Sequence, residues 1–296
     1  MASAFAVLRE NVEKGGKMKK LFDSHAHLNN DTFSEEERES LINDIEASDV
    51  AYMMDVGFDL PSSLQAVKDA QRLSWCYGAV GVHPHDTKAM DEEMLLLIES
   101  LARKDKIQAI GEIGLDFHYN HSEAEEQRYW FRRQIQLANK LQMPIIIHSR
   151  EADKETLDIL KEEGAFRDER CGWFPKRKGP DGIETKDARV LLHCFSGSRE
   201  LAEQYIKLGA TISIAGPVTY KNNRKTTEVV RAIPLEYLLV ETDSPYLTPE
   251  PHRGKKNKPP YVEYTARRVA AIKEIPYEEV ACRTLENAKV FFNIAD

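Results

Sequence analysis

The sequence predicts an α/β protein built as a single (β/α)8 barrel, with an active site at the carboxyl ends of the strands. Three observations lead to this prediction: short apolar runs of strand length, helical patterns in the gaps between them, and polar residues where the runs end. Reactive side chains of such barrels collect at the carboxyl ends of the strands. A doubly wound open sheet is the alternative, but no glycine-rich phosphate loop follows the first strand.

The alternation of two periodicities gives the order of the elements. Apolar runs bounded by turn residues indicate strands, and a 3.6-residue period indicates helices. The helical pattern is clearest at residues 123–141, 260–272 and 278–292. The predicted strands are 21–25, 51–56, 77–82, 107–111, 144–148, 189–193, 210–214 and 237–241.

The barrel domain is predicted to span residues 18–296. Residues 1–17 carry no strand signal and end in Gly15, Gly16 and Lys17, so we expect the native chain to begin at Met18. Segment 166–187 interrupts the alternation with mixed charge and turn formers, which indicates an inserted loop. Because it joins a helix to the sixth strand, we expect a packed or solvated flap on the face opposite the active site.

Composition narrows the class of protein. No apolar run approaches the roughly 18 residues of a membrane span, so we expect no membrane contact. A net charge of -8 argues against a broad electrostatic surface for nucleic acid. The four cysteines show no paired spacing, which is typical of a reduced, cytoplasmic protein. We expect a monomer without an obligate protein partner.

Histidines and carboxylates fall where the predicted strands end. His25 and His27 lie one residue apart, and in an extended chain their side chains point to the same side. A single histidine is more often a hydrogen-bonded core residue, but a whole set on one rim predicts a metal site. Imidazoles and carboxylates suit zinc, manganese, iron or magnesium. The set comprises His25, His27, His83, Glu112, His148, His193 and Asp243.

Two cations could share one carboxylate of this set. Centres with two cations about 3.5–4 Å apart use a bridging carboxylate, and Glu112 is placed opposite both groups of histidines. Cys194 follows His193, and strand alternation predicts that its side chain points away from the barrel centre as a small core residue.

Eight short motifs follow one another along the chain, and six of them contain the histidines and carboxylates of this set: DSHAHL, GVHPHD, AIGEIGLDFH, PIIIHSR, HCFSGS, ISIAGPVTYKN, ETDSPYL and RGKKNKPPYV. The set resembles the TatD family of metal-dependent deoxyribonucleases, which are amidohydrolase-like (β/α)8 barrels. The resemblance spans residues 21 to about 293 and implies hydrolysis of phosphodiester ester bonds in DNA. It also implies two divalent metal ions, zinc, magnesium or manganese. One would be held by His25, His27, Glu112 and Asp243, and the other by Glu112, His148 and His193.

Catalytic and substrate-binding roles are predicted on the same rim. Asp243 would accept the proton of the attacking water, and Glu112 would bridge the metals. Arg150 and Arg253 suit phosphate because a guanidinium group meets it in a bidentate fork. Lys255 of the basic RGKKNK run and His83 are further phosphate contacts. Other rim candidates are His85, Asp116 and His118, together with Tyr119, Tyr220 and Tyr246, which could stack on bases although packing is their commoner role.

Two other functions stay open. An amide or ester hydrolase, or a D-aminoacyl-tRNA deacylase, could use the same metal site on the same barrel. A small neutral amide would not need the phosphate contacts of Arg150, Arg253 and Lys255, and these contacts therefore distinguish a nuclease from an amide hydrolase. A noncatalytic binding protein on a degenerate barrel would not need the complete ligand set.

Overall fold

The computed structural model describes residues 20–179 and 181–295. The predictions for residues 1–17, including the start at Met18, lie outside these ranges. Within them, none of the helices is both long and apolar enough to cross a membrane.

Eight parallel strands form a nearly closed barrel, which confirms the predicted fold class over the open sheet. Each strand pairs with the next one along the chain. The largest difference from the predicted bounds is the fourth strand, which continues to Asp116. The strands are β1 Leu21–Ala26, β2 Val50–Val56, β3 Cys76–Val80, β4 Ile107–Asp116, β5 Ile145–Arg150, β6 Val190–Leu192, β7 Thr211–Ile214 and β8 Leu238–Val240.

The barrel closes between β1 and the residues that follow β8. His27 N–H donates to the carbonyl oxygen of Ser244 over 2.8 Å, and Asp243 N–H donates to that of His25 over 2.9 Å. Deeper in the barrel, the Ser24 hydroxyl donates to the Val240 carbonyl oxygen over 3.0 Å. Backbone bonds therefore fix the predicted ligands of β1 relative to Asp243.

Apolar side chains fill the end of the barrel where the strands begin. A buried cluster combines strand residues such as Phe22, Ile146 and Leu239 with Phe291 and Phe292 of the last helix. The rings of Phe22 and Phe292 stack with their centroids 5.8 Å apart. Inside the barrel, the apolar core thus lies towards the amino ends of the strands, and the polar residues lie at their carboxyl ends. A larger apolar cluster packs strand residues against the surrounding helices.

Helices connect the strands and cover the outside of the barrel. Ser34 and Glu37 form a reciprocal capping box at the start of α1, which satisfies backbone N–H groups that lack helical partners. Asp59 caps α2 in the same way through Ser62. The helices are α1 Glu35–Ala47, α2 Leu60–Arg72, α3 Glu92–Ala102, α4 Ala124–Leu141, α5 Asp153–Glu162, α6 Asp168–Cys171, α7 Arg199–Lys207, α8 Arg224–Ala232, α9 Val262–Lys273 and α10 Tyr277–Phe291.

Segment 166–187 contains α6 and a two-stranded antiparallel hairpin, Arg177–Lys178 with Glu184–Thr185. The buried Arg170 guanidinium donates to the carbonyl oxygens of Ala188 and Met143, which precede β6 and β5. These bonds attach the segment to the end of the barrel where strands begin. It is therefore packed on the face opposite the polar residues.

Candidate metal centre

Two β-bulges turn key side chains into the mouth of the barrel. Ser24 faces the interior, where its hydroxyl meets Ser213, so strict alternation would turn His25 outward. Between Asp23 and Ala26, β1 has one residue more than the facing part of β2. This extra residue reverses the alternation of side chains between the two faces of the strand. A corresponding shift between β4 and β5 lies at Ile110–Ile113 and reorients Glu112.

The first group of ligands brings together His25, His27, Glu112 and Asp243. The Nε2 atoms of His25 and His27 are 3.2 Å apart. Glu112 Oε2 lies 3.4 Å from His25 Nε2, and Asp243 Oδ1 lies 3.4 Å from His27 Nε2. Metal bonds of 2.0–2.1 Å in a tetrahedron place ligand atoms about 3.4 Å apart. The two imidazole nitrogens and Glu112 Oε2 therefore fit a single cation, and Asp243 Oδ1 lies close enough to both histidines to serve as a fourth ligand.

The second group uses the other oxygen of Glu112. Its Oε1 lies 2.8 Å from His148 Nδ1 and 2.8 Å from His193 Nε2, and the two imidazole nitrogens are 3.3 Å apart. His83 Nε2 approaches the same oxygen at 3.6 Å. The Glu112 carboxylate therefore lies between two groups of ligands, one on each of its oxygens.

Contacts behind the histidines prepare them to bind metal. His27 Nδ1 bonds to the Val56 carbonyl oxygen over 2.7 Å, so Nδ1 carries the hydrogen and the Nε2 lone pair faces the site. His148 Nε2 lies 3.2 Å from Asp116 Oδ2, which likewise leaves Nδ1 facing Glu112. A carbonyl or carboxylate behind a metal-bound histidine is the usual arrangement in proteins. The residues present fit a pair of divalent cations.

Glu241 is a buried carboxylate that the sequence analysis did not select. Its Oε1 lies 3.3 Å from His193 Nδ1 and accepts the Cys194 N–H over 2.7 Å. The contact between His193 Nδ1 and Glu241 Oε1 is an ion-pair contact without good hydrogen-bond alignment, and Glu241 Oε2 is buried and lacks a hydrogen-bond partner within the described residues. The position of Glu241 two residues before Asp243, at the end of β8, was the available signal.

Burial and charge act in opposite directions on the carboxylates. Burial raises the pKa of Glu112, but the charge of His193 and the hydrogen bonds from His148 and His193 outweigh it and hold the pKa well below the usual range. Burial also raises the pKa of Asp243, and its contacts with His27 and His193 lower it overall. Both groups are anions at neutral pH, as metal ligands must be.

The predicted phosphate contacts occupy different places. His83 and Arg150 line the cavity that holds Glu112, of about 930 Å³. Arg253 lies outside this lining, with its guanidinium carbon 4.4 Å from the centre of the Tyr220 ring. Lys255 is exposed in the same loop.

Cys194 corrects one prediction. Its side chain lines the cavity beside His193 instead of pointing away from the barrel centre. The physical reason is that β6 ends at Leu192 and that Cys194 has a positive φ of 41°. Strand alternation no longer applies at such a residue.

Comparison with known proteins identifies the family of this chain. The chain matches the family model described as TatD related DNase over residues 22–293. The chain belongs to this family. The predicted family is thereby confirmed, and the protein is a metal-dependent hydrolase of the TatD type.

Relatives and solved structures cover almost the whole chain. It is 42% identical over 274 residues to the Bacillus subtilis (strain 168) protein named uncharacterized metal-dependent hydrolase YabD, covering 93% of this chain and 99% of that one. It is 34% identical over 281 residues to the Citrobacter koseri protein named 3′-5′ ssDNA/RNA exonuclease TatD, covering 93% and 100%. The crystal structure of YJJV, a TatD homolog from Escherichia coli K12, matches with a TM-score of 0.80 at 26% identity, covering 94% of this chain and 100% of that one.

Proposed function

We propose that this protein is a nuclease that hydrolyses phosphodiester bonds of DNA with two divalent cations. The observation that carries the proposal is the position of Glu112, whose two oxygens face two separate sets of histidines at the mouth of one cavity. Two cations that share one carboxylate are typical of enzymes that cleave phosphate esters. The exonuclease name of the Citrobacter relative supports the same substrate class.

The bound cations would lower the pKa of a water molecule, neutralise nonbridging phosphate oxygens and stabilise charge in the transition state. The remaining steps belong to the side chains. Asp243 belongs to the first group of ligands, and its partly exposed side chain also lines the cavity, so its carboxylate accepts the proton of the attacking water. The water oxygen bonds to phosphorus as the P–O bond to the leaving nucleotide breaks, and the leaving oxygen takes up the proton that Asp243 received from the water.

His83 and Arg150 orient the phosphate. Burial and the nearby His148 hold the pKa of His83 well below its usual range, so its imidazole is neutral. His83 Nδ1 accepts the His85 N–H over 3.1 Å, which leaves the hydrogen on Nε2. That N–H can donate to a phosphate oxygen beside Glu112. Arg150 supplies a permanent positive charge on the same side of the cavity.

An amide hydrolase or a D-aminoacyl-tRNA deacylase is the competing function. Its metal chemistry would be the same, but a small neutral amide would not need the charge of Arg150. An aminoacyl-tRNA is a polyanion, so a comparison of substrates has to distinguish the deacylase from the nuclease. Four of the predicted ligands, His25, His27, Glu112 and His193, are buried, and this argues against a noncatalytic binding protein because buried polar groups without a functional partner are unfavourable.

The test is a comparison of substrates on metal-stripped protein reloaded with zinc, magnesium or manganese. We expect single-stranded DNA to be cleaved, the activity to disappear on chelation, and Glu112→Gln and Asp243→Asn to lose it while the circular dichroism spectrum is kept. Asp158→Asn, an exposed carboxylate paired with Lys154, is the matched control and should keep full activity. Hydrolysis of amides or aminoacyl esters with no cleavage of nucleic acid would overturn the proposal.

A further inference from the structure

The cavity above the metal centre has two chemically different walls. One wall follows β3, β4 and β5 and carries Lys88, His121 and Arg150. The same wall contains the carboxylates of Asp86 and Asp116, and the latter is paired with His85 and His148. The other follows β2 and β8 and carries Phe58, Tyr246 and Leu247. A nucleotide has the same division, because its phosphate is anionic and its base presents an aromatic face.

The apolar wall begins directly at the first group of ligands. The His27 ring meets the edges of Phe58 at a centroid distance of 5.5 Å and of Tyr246 at 6.2 Å. Tyr246 is 51% exposed and Leu247 is 38% exposed, although both are large and apolar. Exposed apolar groups in the cavity of an enzyme indicate a contact with a ligand.

Hydrogen bonds hold Tyr246 in place while leaving its ring open. Its N–H donates to the Asp243 carbonyl oxygen over 2.9 Å, and its own carbonyl oxygen accepts from Asn257 Nδ2 over 2.6 Å. The phenol oxygen accepts from Asn30 Nδ2 over 3.0 Å. A ring fixed at both ends loses little conformational entropy when a planar group stacks on it.

The Leu247 backbone is fixed by close packing. Gly216 lies beneath it, and any side chain at that position would clash with the Leu247 carbonyl oxygen. The turn that carries Tyr246 and Leu247 therefore rests on the turn that follows β7. These contacts fix the position of the apolar wall relative to the first group of ligands.

The opposite wall presents cations. The Arg150 guanidinium lies over the Tyr119 ring, with its carbon 4.6 Å from the ring centroid. Within the ranges that the structure describes, no carboxylate pairs with Arg150. Lys88 Nζ donates to the His121 carbonyl oxygen over 3.3 Å. Both cations are available for phosphate oxygens.

We propose that Tyr246, Leu247 and Phe58 form a subsite for one unpaired nucleobase next to the scissile phosphate, while Arg150 and Lys88 bind the neighbouring backbone. The inference rests on the proposed nuclease function and specifies its substrate as a strand whose base is free to leave the stack. Contact with an aromatic face tolerates any base, because every base has such a face. The subsite therefore selects for the presence of a base and not for its identity.

The experiment uses two substrates of equal length and charge. One is an oligothymidylate, and the other is the same chain of phosphates with abasic tetrahydrofuran residues. For the unmodified protein loaded with manganese, we expect kcat/KM to be about tenfold or more higher on the oligothymidylate, since base stacking on one aromatic residue commonly contributes this much. Tyr246→Ala should reduce that ratio towards one with unchanged metal content.

Three variants serve as controls. Tyr246→Phe keeps the ring and should keep the ratio. Tyr129→Ala removes a tyrosine of similar exposure on α4, outside the cavity, and should also keep it. Arg150→Ala should lower kcat/KM on both substrates by the same factor, because the two chains have the same phosphates.

The outcomes separate the subsite from the nuclease function. Cleavage of both substrates at equal rates by the unmodified protein overturns the subsite and leaves the nuclease function intact. A base preference that persists in Tyr246→Ala also overturns it. Cleavage of neither substrate by metal-loaded protein overturns the proposed function itself.

Discussion

His193 and Glu241 face each other in the buried floor of the metal centre, with His193 Nδ1 3.3 Å from Glu241 Oε1. The other nitrogen of the same ring meets Glu112 at 2.8 Å. Asp116 occupies the equivalent position behind His148. Each histidine of the second group thus has a carboxylate behind it.

We expect Glu241→Gln to weaken binding of the second cation about 10–100-fold, because the carboxylate that orients and polarises His193 is lost. Asp116→Asn should weaken the same cation through His148. Competitive titration with a coloured chelator measures both affinities. Asp158→Asn is the control. An unchanged affinity for the second cation in Glu241→Gln would contradict the proposal that Glu241 orients His193.

Arg150→Ala should raise KM for a single-stranded oligonucleotide about tenfold, because a cation in the cavity no longer meets a phosphate. The plot of log kcat/KM against log salt should lose about 0.7 of its slope, as expected for one phosphate contact on a single strand. Arg150→Lys tests the planar fork, since lysine cannot reproduce the stacking on Tyr119.

The same assay on Arg253→Ala tests the second predicted arginine, and metal content should stay normal in all three variants. An unchanged salt slope in both alanine variants would argue against phosphate binding by these arginines.

Metal binding should also stabilise the fold, because the cages form only in the folded protein. At a free metal concentration of 100 Kd, one site adds about 2.7 kcal/mol to the free energy of unfolding. We expect Tm to rise with the logarithm of metal concentration for the unmodified protein, and Glu112→Gln to lose most of this rise. Scanning calorimetry at several metal concentrations measures it, and a Tm independent of metal would show that the cages do not bind.

Asp55, which is not one of the predicted metal ligands, should make the free energy of unfolding depend on pH. It is fully buried, its Oδ2 has no hydrogen-bond partner within the described residues, and burial together with the charge of Asp69 raises its pKa well above the usual value. A raised folded-state pKa means that this group's favourable contribution is complete below the unfolded pKa and is lost as pH rises through the folded pKa.

Asp55→Asn should therefore stabilise the protein by about 1 kcal/mol or more at pH 8, and the gain should shrink towards pH 4. Urea unfolding at both pH values measures the difference, with Asp158→Asn as a surface control. A variant that is destabilised equally at both pH values would show that Asp55 stays ionised in the fold.

Much of the architecture follows from local patterns in the sequence. Strand ends could be predicted because an apolar run that stops at a histidine marks both the strand and the rim, as at His148 and His193. The bulges that turn His25 and Glu112 inward could not, since they depend on register with the neighbouring strand. Side-chain direction after a strand end is equally nonlocal, as Cys194 demonstrates.

Contacts between segments that are distant in the sequence could not be predicted either. The position of Glu241 behind His193 joins two strands that are not neighbours in the sheet. The attachment of Arg170 to the ends of two strands depends on how the inserted segment folds back. Sequence spacing carries no information about such pairs.

The central claim is that Glu112 bridges two cations. A crystal structure of manganese-loaded protein, with anomalous scattering data, tests it most directly. We expect two anomalous peaks about 3.5–4 Å apart on either side of the Glu112 carboxylate, one near His25 and His27 and the other near His148 and His193. A single peak, or peaks that do not contact Glu112, would contradict it.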